Sequence, residues 1–212
     1  MRPATVLFDL DGTLIDHFKA IHRCHAHTMK QLGLPEPTLD QVCATVGGGV
    51  ELAVERLVGP QLKPAALAIY RPYWDATMLD DVELLPGARE LLALLRSRGV
   101  RTAVFTNKQG PSSRLVCTHL GLADLLDGNF GATDTPWLKP DPQFARHVLT
   151  VLGARAAETL LVGDSPYDFQ AARNAGLAFI GVTTGTHTAA ELQAAGADRV
   201  CAGLFAVAQE LR

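Results

Sequence analysis

The chain has 212 residues, of which 48% are hydrophobic and 19% charged, with a formal net charge of −3 and an isoelectric point near 6.1. That length suits one large domain or a core carrying a small insert, with the composition of a globular protein. The mild acidity argues against a nucleic-acid-binding face, and no apolar run reaches the roughly 18 residues of a membrane span.

The apolar run Thr5-Val6-Leu7-Phe8 predicts a buried strand, and it ends in Asp9-Leu10-Asp11-Gly12-Thr13-Leu14. Two carboxylates one residue apart, followed by a glycine that allows a sharp turn, sit where a parallel α/β sheet binds its ligands. Taken alone, the same residues also describe a solvated turn. The strand begins by the fifth residue with no charged-then-apolar segment ahead of it, so a cytoplasmic protein is expected.

Residues 17–82 show helical patterns and no convincing strand: His17–Leu32, Leu39–Val46, Val50–Leu57 and Ala65–Leu79, separated by turn signals such as Gly33-Leu34-Pro35 and Gly59-Pro60. The first of these holds His17, His22, His25 and His27. No carboxylate or cysteine spacing completes a ligand set, so they are read as polar faces of a helix. His17 closely follows the Asp-x-Asp loop and is expected near the mouth of a pocket.

Pro86-Gly87 marks a return to α/β rhythm. Strands are expected at Val100–Thr106, Thr159–Gly163 and Ala178–Val182, and a weak one at Asp198–Val200. Helices are expected at Ala88–Ser97, Ser112–Leu120, Pro142–Leu152, Tyr167–Ala175 and Ala189–Ala194. Gly99, Gly121, Gly153, Gly176 and Gly196 follow them as C-terminal caps. The fold class is α/β, a Rossmann-like parallel sheet core (1–16 and 83–212) with an inserted α-helical cap domain (17–82) placed over the Asp-x-Asp loop. Cys24, Cys43, Cys117 and Cys201 form no CxxC pair and are expected as reduced thiols.

Three more polar clusters follow predicted core segments. Thr106-Asn107-Lys108 offers a hydroxyl and turn amides to an anion. Lys139-Pro140 holds a lysine in extended backbone before a helix. Gly163-Asp164-Ser165-Pro166-Tyr167-Asp168 places two further carboxylates at a strand-to-helix turn. Clustered acids repel unless a cation joins them, and all-oxygen ligation favours Mg²⁺ over zinc. Together the parts suit phosphoryl transfer. Asp9 attacks, a divalent ion offsets its repulsion from phosphate, Lys139 and Thr106 bind equatorial oxygens, and Asp11 exchanges the proton.

With these four motifs in order over almost its whole length, the chain resembles the haloacid dehalogenase-like hydrolase superfamily. The resemblance implies Asp9 as nucleophile and Asp11 as general acid/base. It also implies Mg²⁺ held by the Asp9 side chain, the Asp11 main-chain carbonyl and Asp164, with Asp168 assisting. Asp11 separates the chain from the dehalogenase branch, whose members lack that second acid. Thr106-Asn107-Lys108 and the cap segment Val46-Gly47-Gly48-Gly49-Val50 resemble the phosphoglycolate phosphatase-like group with its small helical cap. Glu51, Arg56 and His17 are cap-side candidates for substrate contact, His17 standing where many relatives have a small hydroxyl residue.

The expected activity is Mg²⁺-dependent hydrolysis of a small phosphomonoester through an aspartyl-phosphate, with 2-phosphoglycolate as the substrate the resemblance suggests. A sugar-phosphate mutase using the same intermediate and a non-catalytic regulatory protein are the alternatives. The expected partner is a small phosphorylated metabolite, with neither nucleic acid nor membrane involved, and the protein is expected to be a monomer or small homo-oligomer.

Overall fold

Along the chain run β1 (Thr5–Phe8), a short β2 (Ile15–Asp16), helices α1 (Phe18–Gln31), α2 (Leu39–Cys43), α3 (Val50–Val58) and α4 (Lys63–Thr77), and a short β3 (Glu83–Leu84). There follow α5 (Ala88–Ser97), β4 (Arg101–Gln109), α6 (Gly110–His119), β5 (Gly128–Ala132), α7 (Pro142–Leu152), β6 (Thr159–Gly163) and α8 (Pro166–Ala175). The chain closes with β7 (Ala178–Val182), α9 (Ala189–Ala195), β8 (Val200–Cys201) and α10 (Leu204–Glu210). The structure is a computed structural model and describes residues 3–211.

Six strands form one parallel sheet in the order β5-β4-β1-β6-β7-β8. Alternation along each central strand divides its side chains between two cores. Val6 and Phe8 of β1, Val104 of β4 and Leu160 and Val162 of β6 pack with α5, α6 and α10 on one face. Leu7, Ala103, Phe105 and Leu161 pack with α7 and α8 on the other. A sheet buried on both faces needs near-continuous apolar strands, which is what β1 and β6 supply.

The connections run from β1 to one edge of the sheet and then return to β6 on the other side of β1. The C-terminal ends of β1, β4 and β6 therefore flank a topological switch point, the crevice where open α/β sheets bind ligands.

Residues between β2 and β3 form a helical insertion with its own core. Ala20, Cys24, Val54, Ala66, Leu67, Tyr70 and Trp74 pack there. The antiparallel pair β2–β3, with Ile15 opposite Leu84, joins the two ends of the insertion at the sheet. Thr38 and Gln41 form a reciprocal capping box that starts α2.

Several elements differ from the sequence expectation. β5 was not anticipated, because Gly128-Asn129-Phe130-Gly131-Ala132 has low strand propensity and pairs as an edge strand only with β4. α10 was not anticipated either, although Leu204 and Val207 are buried at helical spacing. β4 continues past Thr106 to Gln109, and its pairing with β5 shifts register between Phe105 and Gln109. The weak final strand lies at Val200–Cys201 rather than Asp198–Val200. All four cysteines are free. Among the described residues no helix is long and apolar enough to cross a membrane.

Candidate active site

The loop after β1 is shaped by backbone bonds. The amides of Thr13, Leu14 and Ile15 all donate to the Leu10 carbonyl, and Gly12 donates to Ile15 across 2.8 Å. Gly12 has φ of 80°, a region that favours glycine. A Cβ there would lie 2.7 Å from Asp164 Oδ2, so the glycine also lets the loop approach that carboxylate. The result is that Asp9 and Asp11 line one cavity rather than opposite faces of a strand.

The shifted register at the end of β4 does the same for its residues. Thr106, Asn107 and Lys108 are consecutive, yet all line the cavity. The Asn107 amide donates to the Lys139 carbonyl at 3.0 Å, and its oxygen accepts from the Lys139 N–H at 2.7 Å. Asn107 thereby clamps the backbone that carries Lys139.

Lys139 Nζ lies 2.5 Å from Asp168 Oδ1 and 2.9 Å from Asp9 Oδ1. The other Asp168 oxygen accepts from the Ser165 N–H at 3.0 Å and its hydroxyl at 2.6 Å, closing a capping box on α8. Asp168 thus starts a helix and positions Lys139, so of the three clustered acids its oxygens are the most committed. Asp164 accepts from the Thr13 hydroxyl and the Thr186 N–H, each at 3.2 Å.

Asp9, Asp164 and Asp168 are all buried, each offering a carboxylate oxygen within 4.8 Å of the others'. Three buried carboxylates here share one ammonium. Burial, partly offset by Lys139 and reinforced by Asp168, pushes the Asp9 carboxyl up to about 6. Burial and then Asp168 and Asp9 raise Asp164 well above the usual carboxylate range. Lys139 is held above its ordinary value, since the two acids outweigh its burial. Asp9 Oδ1 faces Lys139 off the line of a hydrogen bond and has no donor among the described residues. A buried carboxylate oxygen whose one neighbour of opposite charge is an ammonium shared with a second acid fits a divalent cation, and the all-oxygen donor set suits a hard ion.

Asp11 stands apart from this cluster. Both its oxygens accept from Lys108 Nζ, at 3.0 and 3.1 Å, and His17 Nδ1 lies 3.3 Å away. Burial alone would raise its carboxyl, but the Lys108 charge and the His17 contact outweigh it and hold it well below the usual range. Lys108 Nζ also sits 4.5 Å from the centre of the Trp74 ring.

His17 does not reach a pocket mouth. It is 0% exposed, its Nε2 bonds the Met78 carbonyl at 2.6 Å, and its ring packs on Trp74. Burial, then Lys108, pushes it below its ordinary value. Nor is His25 on a polar helix face: it is 2% exposed and packs against Tyr70.

The empty space above these residues, open solvent at its mouth included, comes to about 760 Å³. Its floor is the end of the sheet, and its walls come from α1, the α2–α3 loop, α3 and α4. Gly47 and Gly49 of that loop line it. Their φ values are 111° and 90°, so the loop turns where a side chain would be strained. Glu51 and Arg56 do not line it. Glu51 pairs with Arg71 at 3.0 Å, and Arg56 donates to the Tyr167 hydroxyl at 3.1 Å.

The model of the family described as "Haloacid dehalogenase-like hydrolase" matches residues 6–182. The chain belongs to that family. It is 36% identical over 195 residues to a phosphoglycolate phosphatase of Rhodobacter capsulatus, covering 87% of this chain and 86% of that one. It is 34% identical over 201 residues to the Dickeya dadantii (strain 3937) protein named "Probable phosphatase IndB", covering 92% and 87%. Its fold matches a haloacid dehalogenase-like family hydrolase of Streptococcus pneumoniae with a TM-score of 0.90, at 24% identity and 98% coverage of both chains.

As a haloacid dehalogenase-like hydrolase the protein is an enzyme, and the seven residues given a catalytic, phosphate-binding or metal role from sequence converge on its crevice, whereas His17, Glu51 and Arg56 do not line it. Asp9, Asp11, Thr106 and Asn107 line the cavity, while Lys139, Asp164 and Asp168 are buried about Asp9. Lys108, Thr13 and Ser165 stand in the quoted motifs without a role assigned from sequence, and Thr186 was not singled out. Their polar side chains or amides follow motif residues directly or, for Thr186, come from the loop after β7. Only Ser165 carried a readable signal, the Ser-x-x-Asp spacing of a capping box.

Proposed function

We propose that this hydrolase is a Mg²⁺-dependent phosphatase of small phosphomonoesters that works through an aspartyl-phosphate on Asp9. The observation that carries the reading is the buried Asp9 Oδ1 without a hydrogen-bond donor, beside Asp164 and Lys139. With one Asp9 oxygen holding the ion, the other is available to attack phosphorus. Asp9, Asp164 and the main-chain carbonyl of Asp11 would hold Mg²⁺, with Asp168 assisting. When bound, the ion offsets the repulsion between carboxylate and phosphate. Lys139, fixed by Asp168, and the Thr106 hydroxyl bind the equatorial oxygens. Asp11 lines the same cavity and is held as the carboxylate by Lys108, so the proton it passes to the leaving alkoxide is one brought in by the monoanionic ester; it then accepts a proton from the attacking water. Most of the rate enhancement is positioning and electrostatics.

The helical insertion 17–82 serves as a cap that closes over the substrate and excludes bulk water. The relatives named phosphatase support the class of reaction. Release of inorganic phosphate from a panel of phosphomonoesters tests it. We expect turnover that requires Mg²⁺ and disappears in Asp9→Asn, and an Asp9→Asn enzyme as active as wild type overturns the assignment.

A further inference from the structure

The walls of the cavity differ chemically from its floor. The floor is charged, whereas the insertion contributes Ile21, Val46, Val50, Ala53, Tyr70 and Trp74. Phosphate occupies the floor on the reading above, so the ester's organic group faces these side chains.

A carboxylate-bearing ester such as 2-phosphoglycolate needs a cation at that level. Two cationic side chains line the cavity among the described residues, and both are engaged. Lys108 is held by both oxygens of Asp11. Arg71 lies at the exposed rim, paired with Glu51, and Asp75 lines the cavity one helical turn along. His25 is buried and held neutral at ordinary pH, chiefly by desolvation. The remaining polar groups at the same level, the Ser112 hydroxyl, the Gln109 amide and the Asn107 amide, are neutral. The Ser112 hydroxyl accepts from the Trp74 indole at 3.3 Å, and the Asn107 amide is shared between Gly47 and Lys139. A substrate carboxylate entering here would lose water and meet neutral donors but no free cation. An apolar group would gain by burial. Tyr70 and Trp74 stack with ring centres 5.9 Å apart and planes 15° from parallel, adding a flat aromatic wall.

We infer that the substrate is a phosphomonoester of an uncharged alcohol with an apolar, ring-sized group, and that a carboxylated ester is discriminated against. This rests on the phosphatase reading, and the experiment separates the two.

The first arm measures kcat/KM for benzyl phosphate and 2-phosphoglycolate in Mg²⁺, both of which leave as alkyl alkoxides rather than as an activated phenolate. The second arm measures binding of benzylphosphonate and phosphonoacetate by calorimetry in Mg²⁺, which requires no turnover. The benzyl compound is expected to lead at least tenfold in both arms. Equal or better performance by the carboxylated compound in the binding arm overturns the inference. Failure of every ester to release phosphate overturns the phosphatase reading, and the binding arm still decides the preference. Val50→Arg places a cation in the wall, and Glu51→Gln, at an exposed position, releases Arg71. Each is expected to raise phosphonoacetate affinity several-fold, and no change in either contradicts the account.

Discussion

The side-chain amide of Asn107 donates to the Gly47 carbonyl across 2.9 Å, tying the end of β4 to the α2–α3 loop of the insertion. The same amide donates to Lys139, whose backbone N–H returns a bond to the Asn107 oxygen. One side chain thus couples the insertion to the backbone that presents Lys139. Asn107→Ala removes all of these bonds. It is expected to cost about 1–3 kcal/mol of stability and to lower kcat/KM by roughly 10- to 100-fold, as small misplacements of positioned groups do. Hydrogen exchange should quicken in residues 44–50, and unchanged exchange there would remove the coupling role.

Mg²⁺ is expected to stabilise the fold as well as support turnover. At a concentration about 100 times its dissociation constant, a ligand of the native state adds about 2.7 kcal/mol. Thermal melts with and without Mg²⁺ measure this directly. Asp164→Asn should erase both the shift and the activity, while a full shift in that variant would move the ion elsewhere.

Among the described residues Lys139 is the one cation inside the acidic cluster. Lys139→Met leaves Asp9, Asp164 and Asp168 unbalanced, and loss of one partner from a buried pair costs about 3–5 kcal/mol. Activity is expected to fall by about 10³-fold or more, in line with loss of a preorganised charge. Denaturant unfolding and steady-state rates check the two effects separately.

Lys108→Met is expected to act differently, because Lys108 contacts Asp11 and Trp74 rather than the acidic cluster. It should lower kcat with little effect on Mg²⁺-dependent stabilisation. A loss of Mg²⁺ response in this variant would show that the two groups of residues are not separable.

His25 gives a pH dependence that is structural. Burial, then His22, lowers it from 6.5 to about 4. The unfolded chain therefore binds its proton more readily between those values, so stability is full above the unfolded pKa and is lost as pH falls towards the folded one. Between pH 7.5 and pH 5 the loss amounts to about 2 kcal/mol. The stability difference between wild type and His25→Gln should shrink by that amount over this interval, and a constant difference would show that His25 titrates normally.

The parts of this fold that were legible in the sequence are those where local pattern and tertiary role agree. β1, β6 and β7 are short apolar runs buried in a parallel sheet, and α7 carries Pro142 at its start and Gly153 at its end. Asp9, Asp11, Lys139 and Asp164 could be singled out because charged residues follow these strands or precede a helix. β5 was hidden because its glycines carry no strand signal, and Gly131 is required where a Cβ would collide with the backbone of Gly110. The burial of His17 and His25 was hidden for another reason: whether a histidine on an amphipathic helix faces solvent depends on the helix packed against it, here α4 with Tyr70 and Trp74. The pairing of Lys108 with Asp11 spans 97 positions and has no local signature.

The account's central claim is that Asp9 takes up the phosphoryl group, and trapping that acyl phosphate tests it most directly. Enzyme turning over a phosphomonoester is quenched in acid, reduced with borohydride and mapped by mass spectrometry. The account predicts homoserine in place of aspartate at position 9, formed only with substrate and Mg²⁺. Unaltered aspartate at position 9 during rapid phosphate release, or homoserine at another position, would contradict it.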